Sequence, residues 1–272
     1  MKYFLIITIM SGLLCSLTLA GEFENGTHTP EGIPAVKEGK FTNTNSIRLS
    51  EIKLDVSDTV QALADQATKA TGILPAWIVQ IGQTEINLLR LPKGESTMNN
   101  LICDIMLWRT NTDFALINFG DIYADLPVGP VTNLDLYKLI PFDRALVIVE
   151  MNGKFLQQLV EYNISGVRQG LAIAGGKVEC DRSRPNFHRL NFFQVGQYPC
   201  YPQKDYRVVT TDYLVKGNAG FALLTTIEPV KVQYTGILLR DAIRDYIQAN
   251  SPLNAQNIKL DGRWEMREGA EE

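Results

Sequence analysis

The residues best suited to binding chemistry lie in one stretch, from Asn118 to Phe142. An apolar strand, Ala115 to Ile117, is predicted to run into a glycine-containing turn at Asn118 to Asp121. A Pro/Gly loop and a short helix with Thr132 as its N-cap follow, and Pro141-Phe142 closes the segment. Loops that leave a strand end and carry polar and aromatic side chains are common places for ligand sites. The stretch is interpreted as a ligand site, or else as a structural turn between two core strands.

Metal chemistry has little support in the sequence. The chain has two histidines, His28 and His188, and neither stands at a ligand spacing from a second histidine, cysteine or carboxylate. Nucleophile elbows, phosphate-binding glycine loops and dinucleotide fingerprints are also missing from the sequence. Both histidines are interpreted as surface or structural residues, and no catalytic residue, metal site or cofactor is expected.

The cysteines offer one possible crosslink. Cys15 falls in an apolar N-terminal run, and Cys103 stands among apolar neighbours, which predicts a buried thiol. Cys180 and Cys200 flank two predicted adjoining strands. In an oxidising compartment a disulfide between them would stabilise the fold by about 3 kcal/mol. The alternative is that both remain thiols, because sequence does not give the geometry of the sulfurs.

Composition limits the classes of protein and of partner. A chain of 272 residues, 45% apolar and 21% charged, can bury one sizeable core or two small ones. Its net charge of −4 argues against a nucleic-acid partner, which usually requires a basic face.

The N-terminal and C-terminal segments differ in composition from the rest. Residues 1–20 combine one lysine, an apolar run and a small-residue cleavage site at Ala20, which predicts a signal peptide and a secreted or periplasmic protein. A lipoprotein signal at Cys15 is the alternative interpretation. Residues 21–50 are interpreted as a flexible leader, 51–265 as the folded domain and 266–272 as an acidic tail. No membrane anchor is expected.

The predicted elements mix strands and helices without regular alternation. Ser96 is predicted to cap one helix and Thr235 another, and Asn152-Gly153 is predicted to turn a strand at 145–151 into a helix. Further strands are expected over 171–180, 190–194 and 206–214. This order favours an α+β domain in which helices flank a mixed β-sheet core.

Four segments, in one order, resemble a known family. They are the Asn118 to Phe142 stretch, Asn100-Leu-Ile-Cys-Asp-Ile-Met106, Leu146 to Leu156 with its Met-Asn-Gly-Lys-Phe-Leu ending, and Tyr206 to Phe221 with Asp-Tyr-Leu-Val-Lys-Gly-Asn-Ala-Gly-Phe. Their spacing and residue types are similar to those of the C-terminal, substrate-binding domain of the secreted 5'-nucleotidases, which include UDP-sugar hydrolases and apyrases. The resemblance covers roughly residues 56 to 250. It implies the fold of that domain, without the family's N-terminal metallophosphatase domain.

The resemblance also implies a binding mode. Two aromatic side chains sandwich the nucleobase in the family, and Phe142 and Phe221 occupy those positions here. Asn118 matches the asparagine that contacts the ligand, and Gly120, Tyr123 and Asn218 are expected to line the same pocket. The other interpretation is that each phenylalanine belongs only to the core.

The sequence departs from the family pattern where charges are expected. Tyr123 replaces the arginine of Gly-Ile-Arg, and Gly94 stands where an arginine is common, although Arg90 and Lys93 are nearby. The run from Gly217 to Gly220 has lost a carboxylate. Arginine contacts to phosphate are strong charge-assisted hydrogen bonds, so such a pocket should accept a flat base and hold phosphate weakly.

Three hypotheses for function follow. The first is a secreted protein that binds a nucleoside or nucleotide by base stacking and is not catalytic by itself. The second is the substrate-binding half of a split 5'-nucleotidase-type hydrolase, completed by a separate metallophosphatase chain. The third is a scaffold or interaction protein whose pocket has decayed.

Overall fold

The computed structural model describes residues 76–91, 94–165 and 170–267, together with residues 65, 68 and 69. The predicted signal peptide and leader lie outside these residues, as does the acidic tail beyond residue 267. Within the described part of the chain, no helix has both the length and the apolar character needed to cross a membrane.

The described residues form eleven strands and five α-helices. The strands are β1 (Gln80–Thr84), β2 (Phe114–Asn118), β3 (Gly129–Thr132), β4 (Ala145–Asn152), β5 (Leu171–Ala174), β6 (Gly176–Asp181), β7 (Leu190–Val195), β8 (Tyr198–Pro199), β9 (Asp205–Thr211), β10 (Val232–Leu238) and β11 (Trp264–Arg267). The helices are α1 (Thr97–Thr110), α2 (Asn133–Leu139), α3 (Gly153–Ser165), α4 (Asp212–Val215) and α5 (Leu239–Asn250).

The central sheet is mixed, as predicted. Its five strands lie in the order β10-β4-β9-β2-β5. β2 runs parallel to β9, and the other three pairings are antiparallel. A second sheet has the order β11-β6-β7-β8, and β1 pairs with β3 in a small antiparallel ribbon. The α+β fold class with a mixed sheet is therefore confirmed.

Both faces of the central sheet are buried. Along β2, Phe114 and Leu116 belong to one apolar cluster, whereas Ala115 and Ile117 belong to the other. Side chains from α1, α2 and α5 cover the face that bears Ala115 and Ile117. Side chains from α3 and the second sheet cover the opposite face. Burial on two faces explains why β2 is a continuous apolar run, since a strand with one wet face would alternate. Burial of each large apolar side chain there contributes about 1.5–3 kcal/mol to the stability of the folded state.

Side-chain caps fix most of the helix starts. The Ser96 hydroxyl accepts a hydrogen bond from the backbone N–H of Asn99 at 3.1 Å, which confirms the predicted start of α1. Thr132 and Asp135 form a reciprocal capping box at α2. Asn152 Oδ1 accepts from the backbone N–H of Phe155 at 2.9 Å, at the predicted step from β4 into α3.

The prediction for Thr235 is wrong. Thr235 lies inside β10, where its Oγ1 donates to the Leu146 carbonyl at 2.7 Å. The last helix begins four residues later, at Leu239. The Thr235 hydroxyl, predicted to cap a helix, therefore takes part in the contact between β10 and β4.

The structure contains no disulfide between Cys180 and Cys200, although both thiols are buried. Cys180 pairs with Leu190 on one side of β7, and the Cys200 backbone N–H bonds the Phe193 carbonyl on the other side. Two strand spacings separate positions on opposite sides of a strand, about 9–10 Å. A disulfide requires the two Cα atoms to lie within about 7 Å, so this geometry excludes the predicted pairing. Cys103 is fully buried, as expected.

Candidate ligand-binding site

The candidate site begins where β2 ends. Residues Phe119–Asp121 form a single 3-10 turn after Asn118. With its amide in the orientation that satisfies both polar atoms, the Asn118 side chain donates to Asp121 Oδ2 at 2.9 Å and accepts from the Asp121 backbone N–H at 3.3 Å. Gly120 is exposed, and a Cβ there would come within 3.1 Å of the Asn118 amide. The turn is thus closed by Asn118, and a side chain at position 120 would crowd it.

Two solvent-exposed aromatic rings contact each other near this turn. The Tyr123 and Phe142 ring centroids are 5.6 Å apart, with the ring planes at 71°. Each residue remains 47% exposed, which is unusual for a paired tyrosine and phenylalanine. Edge-to-face packing holds the two rings together and leaves ring surface available to a ligand.

Arg144 lies at the centre of the site. Its Cζ atom is 4.8 Å from the centroid of the Phe142 ring and 3.9 Å from that of the Tyr213 ring. Its Nη2 donates to Asp121 Oδ1 at 3.0 Å, while its buried Nε has no hydrogen-bond partner. One guanidinium therefore contacts Phe142 of the aromatic pair, Asp121 in the turn after β2 and Tyr213 at the start of α4.

The charges around Arg144 are nearly balanced. Burial raises the pKa of Asp121, and the hydrogen bond from Arg144 opposes that rise. Burial also acts against ionisation of Asp212. The hydrogen bonds from Lys216 and from the Ala145 backbone N–H outweigh it, so the pKa of Asp212 is lowered. With two carboxylates near it, Arg144 offers little net charge to a bound anion.

A second arginine holds the loop that carries Phe142. Arg240 is 6% exposed and donates from Nη1 to the Ile140 carbonyl at 2.7 Å and from Nη2 to the Asp143 carboxylate. Its Cζ atom lies 4.0 Å from the centroid of the Tyr137 ring. Arg240 therefore fixes both ends of the turn that presents the Phe142 ring.

Phe221 does not join this exposed surface. Its ring is fully buried, in the apolar cluster on the α3 side of the central sheet. Asn218, three residues earlier, is exposed and donates from Nδ2 to the Tyr213 carbonyl at 2.9 Å. Asn118, Tyr123, Phe142 and Asn218 are thus linked through Arg144 and Tyr213. The structure differs from the predicted sandwich because Phe221 presents no ring face to solvent.

Sequence reasoning missed both arginines that organise the site. Arg144 stands two residues after Phe142, a proximity that could have marked it. Arg240 is about 100 residues away in the chain, and no local signal points to it. Arg90, which the sequence places near the missing family arginine, lies beside the site, with Nη1 donating to the Ile122 carbonyl at 2.9 Å. Lys93 lies outside the described residues.

Metal-ligating side chains are not gathered anywhere in the described ranges. No group of three or more His, Cys, Asp or Glu residues there could hold a metal ion. His188 is exposed in the loop before β7, and His28 lies outside these ranges.

Comparison with known proteins gives consistent results. Residues 79–226, more than half of the chain, match the family model described as 5'-nucleotidase, C-terminal domain. Protein UshA of Yersinia enterocolitica is 24% identical over 190 residues, covering 66% of this chain and 32% of that protein. An apyrase of Aedes aegypti is 24% identical over 199 residues, covering 66% of this chain and 34% of that protein. The chain spans about a third of the length of these curated relatives.

A solved structure gives the same fold. The 5'-nucleotidase precursor of Thermus thermophilus superposes with a TM-score of 0.66 at 27% identity, over 78% of this chain and 43% of that one. The matched family segment runs from just before β1 to just beyond Phe221, and it includes the aromatic pair and Arg144. The chain belongs to the 5'-nucleotidase C-terminal domain family.

Proposed function

We propose that this chain binds a nucleoside or nucleotide by stacking the base on Phe142. The observation that carries the proposal is the exposed edge-to-face pair of Tyr123 and Phe142, held over the Arg144 guanidinium at the end of β2. Stacking of a base on an aromatic ring is worth about 1–3 kcal/mol and tolerates different bases. Membership of a 5'-nucleotidase domain family supports a nucleotide-type ligand.

Polar groups around the ring would orient the base. Asn118 and Gly120 belong to the turn whose Asp121 bonds Arg144, and Asn218 donates to the carbonyl of Tyr213, whose ring packs on the same guanidinium. In this conformation Phe221 belongs to the buried cluster against which Tyr213 packs, so its ring is not available to stack on a base. A sandwich with Phe221 would require its buried ring to move out of the core.

Phosphate should add little to affinity. Tyr123 replaces an arginine expected from the family pattern, and Arg144 already pairs with Asp121. Arg90 is the exposed arginine beside Tyr123, although its Nη1 is engaged by the Ile122 carbonyl. AMP is therefore expected to bind no more tightly than adenosine.

The domain would recognise the nucleoside or nucleotide, either as part of a pathway of nucleotide breakdown or in another role. A hydrolytic role would need metal-ligating residues from outside the described part of this chain, in a separate metallophosphatase chain or domain. The apolar run near the N-terminus supports export by a cleaved signal peptide, and so a secreted or periplasmic location.

Calorimetry tests this proposal. Wild-type protein is titrated with adenosine, AMP, ATP and UDP-glucose, and Tyr123→Arg is titrated with adenosine and AMP. Adenosine and AMP should bind wild type with similar affinity. Tyr123→Arg should favour AMP by up to about one charge-assisted hydrogen bond, 1.5–3 kcal/mol. Tighter binding of AMP to wild type would show that a cation such as Arg90 holds the phosphate. Failure of every ligand at millimolar concentration would favour the scaffold hypothesis.

A further inference from the structure

A separate cavity of about 580 Å³ opens beside α3. It lies between that helix and the loop that precedes β7, away from the Phe142 loop. Its lining residues are Lys154, Gln157, Gln158, Glu161, Arg184, Pro185, Phe187, His188 and Leu190. A volume of this size can hold a small organic molecule.

The cations of this cavity are not used by the fold. Among the described residues, the side chains of Lys154, Arg184 and His188 make no hydrogen bond and no ion pair. The Ser183 hydroxyl and backbone N–H donate to Asp181 Oδ1 and lower the pKa of that carboxyl, and the nearby Arg184 guanidinium adds a smaller effect in the same direction. The positive groups of Lys154 and Arg184 are therefore available to a ligand, and the His188 ring is a further hydrogen-bonding group.

The acidic residue in the lining is already satisfied. Glu161 Oε1 accepts from the Ser165 hydroxyl at 2.7 Å and from the Arg189 backbone N–H at 3.0 Å. Its Oε2 accepts from the Leu190 backbone N–H at 2.6 Å. These neutral donors leave Glu161 its negative charge but occupy both of its oxygens, so it does not pair with Lys154 or Arg184, and the three charges leave the lining a net charge of +1.

Phe187 presents an aromatic ring to the same cavity. Its φ of +66° is in the left-handed region, which is an outlier for a bulky side chain and costs free energy. The Ser165 hydroxyl accepts from the Phe187 backbone N–H at 2.8 Å and holds this conformation. The Phe187 ring lies 6.0 Å from the Tyr162 ring, centroid to centroid, but the residue is still 56% exposed, so burial does not account for the strained backbone. Strain of this kind is concentrated at functional sites.

We propose that this cavity binds a small organic oxyanion, a phosphate monoester or a carboxylate carried on an aromatic ring. Arg184 and Lys154 would bind the oxyanion, with His188 as a further donor, and Phe187 would pack on the ring. The guanidinium fork suits both carboxylate and phosphate. The site shares no residue with the proposed nucleoside site.

Calorimetry with three probes separates the parts of this site. Phenyl phosphate and benzoate combine a ring with an oxyanion, and inorganic phosphate lacks the ring. Phenyl phosphate or benzoate should bind, with inorganic phosphate weaker, and the tighter of the two ring probes identifies the oxyanion. Arg184→Gln and Lys154→Gln should each weaken binding about tenfold. Lys259→Gln removes an exposed lysine elsewhere and should change nothing.

Phe187→Gly distinguishes a binding role from a structural one. Glycine accepts the left-handed conformation, which offsets the loss of the ring contact with Tyr162, so the thermal unfolding midpoint should change little. Affinity for the ring-bearing probe should fall about fivefold or more, while that for inorganic phosphate should be unchanged. Absence of binding at about 10 mM probe, or equal affinity in wild type, Arg184→Gln and Lys154→Gln, would overturn the proposal. Phe142→Ala should leave this binding intact, and its loss in that variant would also overturn the claim of a separate site.

Discussion

At the scale of single residues, Arg144 explains why the aromatic pair has a defined position. Its guanidinium contacts Phe142 and Tyr213 and bonds the buried carboxylate of Asp121. Asp121 is 3% exposed, so removing the arginine would leave a carboxylate with reduced solvation and no ionic partner. The residue that orients the site also neutralises its least solvated charge.

Arg144→Met should therefore destabilise the protein by about 3–5 kcal/mol, because it leaves Asp121 buried and unpaired. Adding Asp121→Asn to the Arg144→Met variant should recover part of the lost stability. Chemical denaturation of the two single variants and the double variant measures the coupling. Arg109→Met serves as the control, since the Arg109–Asp245 pair is exposed and long at 3.9 Å and should cost less than about 1 kcal/mol. Equal losses in the two arginine variants would contradict this account of Arg144.

The raised pKa of Asp121 predicts a pH dependence of stability. Burial disfavours the charged carboxylate in the folded state, so its contribution is fully present below the unfolded pKa of about 3.9. That contribution is lost as pH rises through the higher folded pKa. Asp121→Asn should remove this decrease, whereas Asp205→Asn, at an exposed position, should retain it. Urea denaturation at a series of pH values measures both. Identical pH profiles for wild type and Asp121→Asn would contradict the prediction.

At the scale of elements, sequence was informative where the signal is local. Ser96, Thr132 and Asn152 each begin a helix as predicted, because a cap depends on residues three positions away. Thr235 was assigned incorrectly because the pairing of β10 with β4 is a contact over about 90 residues. The excluded disulfide has the same cause, since the register around β7 separates Cys180 from Cys200. Local sequence patterns therefore do not determine which distant strands pair with each other.

The capping box of α2 gives a test at this scale. Thr132→Ala should cost about 1 kcal/mol, because it leaves the N3 backbone N–H without its hydroxyl acceptor and Asp135 without one of its donors. Thermal or urea unfolding measures the loss. Thr226→Ala, at an exposed hydroxyl that only donates to a carbonyl, should stay within about 0.5 kcal/mol of wild type. A similar cost in both variants would argue against a specific cap.

At the scale of the whole molecule, the two-faced sheet decides which predicted residues reach solvent. Phe142 and Phe221 are the same residue type in two different family motifs, and both were predicted to stack on the base. Phe142 lies on the exposed loop that leads into β4, whereas Phe221 is buried in the apolar cluster on the α3 side of the sheet. Burial depends on how layers pack, which motif spacing does not report. Sequence motifs pointed to the two phenylalanines, but they gave neither the exposure of each ring nor the role of Arg144 and Arg240.

The chain as printed should not hydrolyse nucleotides when expressed alone. With Mg²⁺, Mn²⁺, Zn²⁺ or Co²⁺ supplied, no phosphate should be released from AMP, ATP or UDP-sugars, because its two histidines provide no two-metal ligand set. A phosphate-release assay on homogeneous protein, beside a mock purification, measures this. Metal-dependent turnover above the mock level would refute the proposal that this chain supplies only recognition.

The most direct test of base stacking is adenosine affinity in Phe142→Ala. The ring is half exposed, so truncation should cost less stability than the about 3–5 kcal/mol of a buried phenylalanine. Adenosine binding should weaken by about 1–3 kcal/mol, or about 5- to 150-fold, in an isothermal titration. Tyr198→Ala, which removes an exposed ring at β8, should bind as wild type does. Unchanged adenosine affinity in folded Phe142→Ala would contradict the claim that this ring forms the binding surface.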